Sequence, residues 1–333
     1  MKQIVRQGRK ISKIALGSTH FGEPMSIAQS EQVMDYAREQ GVNFFDTARV
    51  YGEWYQDGGR SGYCEKVIGE YLRKRGCRKE IYLATKGAHP PFLNRTASRL
   101  NAACLREDLE GSLRDLETDY IDLYFLHRDH PDADIPEIME TLDAFVKEGK
   151  VRSIGASNWR LDRILEANAY AEAHGLTPFT ASQVEWSMAK YDGSGNSDQT
   201  QLVLRADEFE RYAQSGLLVM CFTAQANGLF SKAAAVGGYE ALARQEKNSG
   251  KRGLTGRYQD PDNVRREETA RRLCRQYGIT PAALTVAYLT SQDFDVVPIL
   301  GCSRLSQMED SLSSPDFQLS EQDYREILQE AVI

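Results

Sequence analysis

The sequence predicts an α/β fold, a (β/α)8 TIM barrel with a short N-terminal β-hairpin cap. Three observations predict it: eight short apolar runs recur along the 333 residues, stretches with helical spacing lie between them, and no G-x-G-x-x-G follows the first run. Runs that are apolar throughout are typical of parallel strands buried on both faces, and eight strands alternating with helices indicate a closed barrel. An open doubly wound sheet is the main alternative, but its fingerprint glycines would follow the first strand.

The predicted strands are distributed over the whole chain. Residues 2–12 precede the first of them; they are too polar and too short for a core strand, and Gly8 can centre a small hairpin that caps the barrel floor. The eight barrel strands are predicted at 13–17, 42–45, 80–84, 120–126, 151–155, 179–184, 216–222 and 295–300. Because no low-complexity linker divides them, we expect residues 1–333 to form a single barrel domain.

Apolar residues at helical spacing predict the connecting helices. Gly41 provides a stop signal for the first helix, and Gly278 separates two others. Thr280 and Pro281 are typical of a helix start, with a capping residue followed by a proline at the first helical position. Helices are therefore predicted at 27–40, 105–116 and 135–147, with a pair inside 264–288.

Two later stretches lack clear periodicity. Residues 223–260 contain many glycines and predict a long loop, and loops of this length in compact folds are usually functional. Residues 187–204 also predict irregular structure.

The composition excludes several classes of function. The chain has 41 basic and 48 acidic residues and a net charge of −7 without a long basic run, so we expect no nucleic-acid partner. No apolar stretch approaches the roughly 18 residues that cross a bilayer, so we expect no membrane partner. The N-terminal residues lack the apolar segment of a signal peptide, and six cysteines without a CxxC pair are typical of reduced thiols. These features predict a cytoplasmic protein.

Polar residues follow three consecutive predicted strands. Asp46 and Tyr51 follow the second strand, Lys86 the third and His127 the fourth. Lys86 follows Asp46 by 40 residues and His127 follows Lys86 by 41, about one strand–helix unit each. Because active sites of such barrels lie at the carboxyl ends of the strands, we expect these four side chains to meet.

These four residue types suit the reduction of a carbonyl group. Asp46 would keep Lys86 charged, and the lysine would lower the pKa of Tyr51 towards the working pH. Tyr51 could then act as general acid or base at the substrate oxygen, which His127 would orient by a hydrogen bond. No side chain delivers a hydride, so the chemistry requires a nicotinamide cofactor.

Several segments resemble the aldo-keto reductase family. Residues 43–52, which read NFFDTARVYG, resemble its catalytic Asp–Tyr signature; 84–86 resemble its lysine motif and 126–128 its histidine motif. The resemblance implies that Asp46, Tyr51, Lys86 and His127 are catalytic and that NADP(H) is the cofactor. The cofactor residues it implies are Ser157, Asn158 and Gln183 at the nicotinamide carboxamide, Phe222 stacked on the nicotinamide, Thr223, Gln225 and Gly228 along the pyrophosphate, and Gly301, Ser303, Arg304 and Gln307 at the adenosine end.

The sequence departs from this family in places that affect binding. Phe222 replaces the common tyrosine, 223–225 replace the usual Ser-Pro-Leu, and Ser311 replaces an expected asparagine. Residues 53–63 form a longer loop than usual after Tyr51, so the substrate does not follow from the resemblance. Candidate substrate residues are His20, Trp54, His89, Trp159 and Trp186, which together suggest a polar and aromatic mouth for a sugar-like or aryl carbonyl.

The end of the last predicted strand favours NADP over NAD. Arg304 follows this strand at the start of a predicted short helix, 304–313, where barrels commonly bind phosphate. A guanidinium there can bind the 2′-phosphate of NADP, and no acidic residue lies within 301–307 to accept a ribose hydroxyl instead.

Three functions remain open at this point. The first is an NADP(H)-dependent oxidoreductase acting on an aldehyde, ketone or sugar-like carbonyl or the matching alcohol. The second is a non-catalytic barrel that binds nicotinamide as a redox sensor or regulatory subunit. The third is a metal-dependent hydrolase using His20, Asp46, His89 and His127, against which the nearby positive charge of Lys86 argues.

Overall fold

Eight parallel strands close into a barrel. The computed structural model describes residues 1–55, 59–91, 94, 97–196, 198–248 and 253–328. Each barrel strand is paired with its neighbours in chain order, and the last pairs with the first. The strands are β1 (Gln3–Arg6), β2 (Arg9–Ser12), β3 (Ala15–Gly17), β4 (Phe44–Asp46), β5 (Tyr82–Gly87), β6 (Leu123–Leu126), β7 (Ile154–Ser157), β8 (Phe179–Glu185), β9 (Leu218–Phe222) and β10 (Val296–Leu300). Since β3 to β10 match the eight apolar runs, the predicted (β/α)8 barrel is confirmed.

The helices follow the strands and carry identifiable end signals. Ser26 and Gln29 form a reciprocal capping box at the first helix, and Thr280 caps the helix that begins at Pro281. The described helices are α1 (Ile27–Glu39), α2 (Tyr63–Arg75), α3 (Ala102–Asp115), α4 (Ile135–Lys147), α5 (Leu161–His174), α6 (Phe209–Gln214), α7 (Leu229–Val236), α8 (Tyr239–Asn248), α9 (Leu254–Arg257), α10 (Asp262–Tyr277), α11 (Pro281–Thr290), α12 (Leu305–Ser311) and α13 (Glu321–Leu328). The predicted helices correspond to α1, α3, α4 and the pair α10 and α11, and are confirmed.

The N-terminal hairpin covers the barrel floor, as predicted. Strands β1 and β2 are antiparallel, and Gln7 and Gly8 between them both have positive φ, 49° and 73°. Two such residues in succession match the twist of a tight two-residue hairpin. Ile11 is fully buried and joins the cluster of side chains inside the barrel, and Ile4 packs against the same cluster.

The segment predicted as one long loop is largely helical. Helices α7, α8 and α9 lie within 223–260, although 249–252 are outside the described residues. Gly237 and Gly238 break the segment into short helices, and each is too short to show the sustained periodicity on which prediction depends. By contrast, residues 187–196 and 198–204 are irregular as predicted, except for a bridge between Val203 and Glu185, and residue 197 lies outside the described residues.

Candidate active site

The four predicted catalytic residues come together at the carboxyl ends of the strands. Asp46 is the last residue of β4, Lys86 lies in β5, and His127 directly follows β6. Tyr51 lies on the turn after β4, and its amide donates a hydrogen bond to the carbonyl of Ala48. Residues separated by up to 81 positions are therefore neighbours because the parallel strands end at the same edge of the barrel.

Lys86 is held by three oxygens. Its Nζ lies 2.6 Å from Oδ2 of Asp46, 2.7 Å from the carbonyl oxygen of Thr47 and 3.3 Å from the hydroxyl of Tyr51. Burial acts to lower the pKa of Lys86, but attraction to Asp46 and Tyr51 outweighs it and raises the pKa. The other oxygen of Asp46 accepts a 3.0 Å hydrogen bond from Gln183. Lys86 is thus a buried cation that donates to the phenol oxygen.

The pKa of Tyr51 differs from our prediction. Burial raises the pKa of this phenol above its ordinary value, and the lysine opposes that rise without reversing it. The effect of Lys86 has the expected sign, but its charge is shared with Asp46 at 2.6 Å. Tyr51 therefore carries its proton at neutral pH, and a protonated phenol can act as a hydrogen-bond or proton donor.

His127 is a neutral imidazole beside this phenol. Burial lowers its pKa well below the ordinary value, and Arg128 and His89 lower it further. Its ring centroid lies 5.8 Å from that of Tyr51. Its Nδ1 is buried and has no hydrogen-bond partner within the described residues. A neutral ring held in this way can donate one hydrogen bond to a small polar group.

The residues implied at the nicotinamide carboxamide are linked to the predicted catalytic residues. Asn158 has a φ of 59°, and its Nδ2 donates to the carbonyl of His127 at 3.2 Å and to Oγ of Ser157 at 3.0 Å. Its Oδ1 accepts from the amide of Leu202 at 3.0 Å. These contacts link the ends of β6 and β7, and the bond from Gln183 to Asp46 links β8 to the end of β4.

Two departures from the family pattern contact each other. Gln225 follows β9, and its Nε2 lies 3.1 Å from Oγ of Ser311 in α12; the Ser311 hydroxyl also lies 3.2 Å from Gln225 Oε1. Gln225 donates further to the carbonyl of Ala282, at 3.2 Å. The pair therefore ties the segment after β9 to α11 and α12. Phe222 ends β9, next to Thr223 with its φ of 54°, and Gly228 has a φ of 79°.

The predicted adenosine end is an exposed turn. Gln307 Oε1 accepts from the amide of Ser303 at 2.8 Å and from its hydroxyl at 3.2 Å, which closes the first turn of α12. Gly301 and Arg304 are exposed, and the guanidinium of Arg304 makes no hydrogen bond or ion pair to any described residue. The predicted short helix is confirmed as α12.

Sequence comparison agrees with this geometry. The model of the aldo/keto reductase family matches residues 13–331. The chain belongs to the aldo/keto reductase family. A norsolorinic acid reductase of Emericella nidulans is 30% identical, with 96% of this chain and 78% of the relative covered. The uncharacterized oxidoreductase YrpG of Bacillus subtilis is 29% identical, with 95% and 91% covered.

Solved structures share the fold of this family member. An aldo/keto reductase from Klebsiella pneumoniae, crystallised with NADP and acetate, aligns with a TM-score of 0.69 and 21% identity over 97% of this chain and 92% of its own. A thermostable aldo-keto reductase crystallised with the inhibitor epalrestat aligns with a TM-score of 0.71 and 21% identity, covering 98% of each chain. At this identity the likeness shows the common barrel.

Two of the five predicted substrate residues of this aldo/keto reductase lie beside the predicted catalytic residues. Trp54 is 45% exposed and its ring centroid lies 5.7 Å from that of Tyr51. His89 lies 4.9 Å from the ring of His127. His20 lies nearer the predicted adenosine end, with its Nδ1 3.2 Å from the carbonyl oxygen of Cys302.

The predictions for Trp159 and Trp186 are wrong. Trp159 is fully buried and packs against Phe179, with centroids 5.6 Å apart, so its ring is not part of the surface of the mouth. Trp186 packs against Phe209, Tyr288 and Phe294 instead of facing the mouth. It lines a separate cavity of about 1100 Å³ whose walls include none of the four predicted catalytic residues. A tryptophan at a strand end can turn outward to the helices, which the sequence does not reveal.

Sequence reasoning missed a buried ion pair beside His127. Arg128 donates to the carbonyl of His127 at 2.8 Å and pairs with Asp198 at 3.2 Å. Its Nε also donates to the hydroxyl of Thr200 at 2.9 Å. The pair attaches the irregular segment 187–204 to the mouth. Because Asp198 is 70 residues away in a segment without periodicity, no sequence signal pointed to it.

The third candidate function gains no support from the geometry. Both oxygens of Asp46 already accept hydrogen bonds, from Lys86 and Gln183. Among the residues that the structure covers, no group of three or more His, Cys, Asp and Glu side chains is arranged to hold a metal ion. Over the same residues, no helix has the length and apolar character of a membrane span.

Proposed function

We propose that this protein is an NADP(H)-dependent oxidoreductase that interconverts a carbonyl compound and the corresponding alcohol. The observation that carries the proposal is the buried Lys86 ammonium, 2.6 Å from Asp46 and 3.3 Å from the Tyr51 hydroxyl, beside the neutral His127. A phenol next to a fixed cation is suited to give a proton to an oxygen on which negative charge develops.

Each of the four side chains has a separate task. In the reductive direction Tyr51 donates its proton to the substrate oxygen, and the cofactor, when bound, supplies the hydride to the carbonyl carbon. Lys86 stabilises the phenolate that remains, and Asp46 holds Lys86 in place. His127 directs the substrate oxygen towards Tyr51 by a hydrogen bond from its neutral ring. In the oxidative direction the Tyr51 phenolate accepts the proton of the alcohol.

The side chains at the mouth fit a nicotinamide dinucleotide. Ser157, Asn158 and Gln183 provide hydroxyl and amide groups next to His127 and Asp46, where a carboxamide would bind. The exposed guanidinium of Arg304 follows β10 and suits the 2′-phosphate of NADP. The related structure from Klebsiella pneumoniae, crystallised with NADP, supports the same cofactor.

Two aromatic groups beside Tyr51 and His127 support an aryl or sugar-like substrate. Trp54 and His89 offer flat faces with polar edges, which suit an aryl carbonyl or a sugar-like substrate. The relatives include norsolorinic acid reductases, which by name reduce an organic compound.

Absorbance of NADPH at its nicotinamide band tests the proposal directly. We expect a panel of aryl aldehydes, ketones and aldoses to include compounds that the wild type reduces. Tyr51→Phe is expected to lower the rate about 10²–10⁴-fold because it removes the general acid. Tyr170→Phe, whose hydroxyl binds the exposed Glu140, is the matched control and should leave the rate unchanged.

Two outcomes would contradict the proposal. Tight binding of NADPH without turnover of any carbonyl in the panel would favour the non-catalytic nicotinamide-binding barrel. Unchanged turnover by Tyr51→Phe, where chemistry limits the rate, would remove Tyr51 from the mechanism.

The cofactor preference has its own test. Arg304→Ala is expected to weaken NADPH binding and to leave NADH binding unchanged.

A further inference from the structure

A neutral network of charged side chains lies behind the turn that carries Tyr51. It consists of Arg49, Arg60, Glu65 and Asp115, and we call it the Arg49 network. Nη1 of Arg49 lies 3.1 Å from Oε2 of Glu65 and 2.5 Å from Oδ2 of Asp115, and Arg60 lies 3.2 Å from the same Asp115 oxygen. Glu65 is fully buried, so its charge depends on Arg49 for compensation.

The network is connected to the segment that carries Lys86. Thr85, the residue before it, donates from its hydroxyl to Oε1 of Glu65 at 2.6 Å. The backbone amide of Arg49 donates to the carbonyl of Lys86 at 2.9 Å. The backbone of Arg49 is therefore hydrogen-bonded to the backbone of Lys86. Its guanidinium is linked to Thr85, the residue before Lys86, through the carboxylate of Glu65.

The network is also connected to the segment that carries Tyr51. The carbonyl of Arg49 accepts from the amide of Gly62 at 2.5 Å, just before α2, and the carbonyl of Tyr51 accepts from the amide of Cys64 at 3.4 Å. Glu65 lies in the first turn of this helix. The turn between Asp46 and Tyr51 is thus fixed on one side by β5 and on the other by the start of α2.

Two glycines leave the space that the guanidinium fills. A Cβ on Gly62 would lie 1.9 Å from Nη1 of Arg49, and a Cβ on Gly111 would lie 2.8 Å from its Cζ. Gly62 has a φ of 77°, which favours glycine, but Gly111 lies inside α3, where glycine is less stable than alanine. Gly111, a poor helix former, thus occupies the position in α3 that faces the guanidinium of Arg49.

We propose that Arg49 is a positioning residue that fixes the distance between the Tyr51 hydroxyl and Lys86. It acts through Glu65 and Thr85 on one segment and through Gly62 and α2 on the other, and it does not touch the substrate. The inference deepens the proposed function, on which it rests. An ion pair that served only stability would raise the free energy of unfolding. Its removal would leave the geometry of Tyr51 and Lys86 unchanged.

The double variant Arg49→Met/Glu65→Met tests the proposal. Loss of Arg49 alone would leave a buried carboxylate unpaired, whereas the double variant keeps the network neutral through Arg60 and Asp115. The matched control is Arg73→Met/Glu117→Met, which removes an exposed ion pair of 2.7 Å between α2 and the end of α3. We expect the control to match the wild type in turnover.

Three measurements separate positioning from stability. Near-ultraviolet circular dichroism first establishes that the double variant is folded. We then expect its affinity for NADPH, measured by fluorescence, to be unchanged. We expect its kcat to fall about 10²-fold, which is the effect of a 1 Å misplacement of a reacting group. We also expect the pH profile of alcohol oxidation to move upward as Tyr51 loses its contact with Lys86. Arg49→Lys, which keeps the charge beside Glu65, should have a kcat between those of the double variant and the wild type.

The pH profile is informative because the groups that face Tyr51 are retained. They are Asp46, Lys86, His127 and Arg128, and the double variant changes none of them. Wild-type kcat and an unmoved profile in the folded double variant would overturn the proposal. If the wild type turned over no carbonyl, the proposed function would fail separately. The tyrosinate absorbance titration of Tyr51, taken as the difference from Tyr51→Phe, would still show whether its pKa rises in the double variant.

Discussion

Lys86 is fixed by its three oxygen partners before any substrate arrives. Its side chain is buried on a strand, and its contacts to Asp46, Thr47 and Tyr51 use all three ammonium protons. A group held in one orientation needs no rearrangement as charge develops on the phenol, which is the advantage of preorganised electrostatics. The cost of burying the charge is offset by Asp46, which is also held by Gln183.

Replacement of this lysine is expected to alter the pH dependence of the reaction. Lys86→Met removes a cation that opposes the burial-driven rise in the pKa of Tyr51 and leaves Asp46 without its counter-ion. Both changes raise the pKa of Tyr51, so the rising limb of the oxidation profile should move to higher pH. Each pH unit by which the profile moves corresponds to about 1.4 kcal/mol of difference in interaction between the protonated and deprotonated forms of Tyr51.

The control for this prediction keeps the site neutral. Lys86→Met/Asp46→Asn removes both charges, and its profile should move less than that of the single variant. An active Lys86→Met variant with the wild-type profile would reduce Lys86 to a structural charge at the barrel rim.

His127 makes a separate prediction about acid stability. Its pKa in the folded protein is well below the value of about 6.5 expected for the unfolded chain. Above that value the ring is neutral in both states; as pH falls below it, the unfolded chain binds a proton that the folded protein does not. The free energy of unfolding should therefore fall by up to about 1.4 kcal/mol per pH unit from this residue.

Urea unfolding of His127→Gln and wild type tests the sign. The difference between the two free energies of unfolding should change by about 1 kcal/mol in favour of the variant between about pH 7 and about pH 5.5. His174→Gln, at an exposed position, is the control. If wild type and His127→Gln lose stability in parallel on acidification, His127 is not held neutral in the folded protein.

At the scale of elements, the sequence is sufficient to predict a strand or helix where one pattern extends over the whole element. Apolar runs identified β3 to β10 because strands buried on both faces leave few polar residues. Caps and stop glycines identified α1 and the break between α10 and α11. The short helices in 223–260 were missed because eight to ten residues interrupted by Gly237 and Gly238 carry too little periodicity.

The limits at the site have the same origin. Strand ends predicted where Asp46, Lys86 and His127 lie because the barrel fixes the backbone there. The orientation of a large side chain depends on its packing partners, which come from distant segments. Trp159 and Trp186 consequently turned away from the mouth, and the Arg128–Asp198 pair could not be inferred.

The contact between Gln225 and Ser311 predicts coupling between two elements. Both residues depart from the family pattern, and their reciprocal hydrogen bonds join the segment after β9 to α12. Gln225→Leu and Ser311→Ala should each cost about 0.5–1.5 kcal/mol of stability, and the double variant should cost less than the sum. Urea unfolding measures the cycle, and Ser311→Ala combined with the distant Tyr170→Phe should be additive. Additivity of the first pair would show that the contact is energetically unimportant.

For the whole molecule, the two ends of the barrel have different tasks. The carboxyl ends of the strands carry the proposed catalytic residues, and the opposite end is closed by the β1–β2 hairpin. Asp122 at the floor is fully buried and pairs with Arg9 at 2.5 Å, Arg78 at 3.0 Å and Arg152 at 2.9 Å. Because Arg9 belongs to β2, this cluster attaches the hairpin to the barrel.

Ile11→Ala tests whether stability and chemistry are separable in this way. Ile11 is fully buried inside the barrel floor, and its truncation should cost about 2–5 kcal/mol through lost burial and the cavity that remains. The proposed catalytic residues lie at the other end of the strands, so kcat/KM and NADPH affinity should stay at wild-type values below the melting transition. Val5→Ala, at a 62% exposed hairpin position, is the control and should change neither quantity. A loss of kcat/KM in the folded Ile11→Ala variant would show that packing at the floor controls the geometry of the mouth, and the two tasks would not be separate.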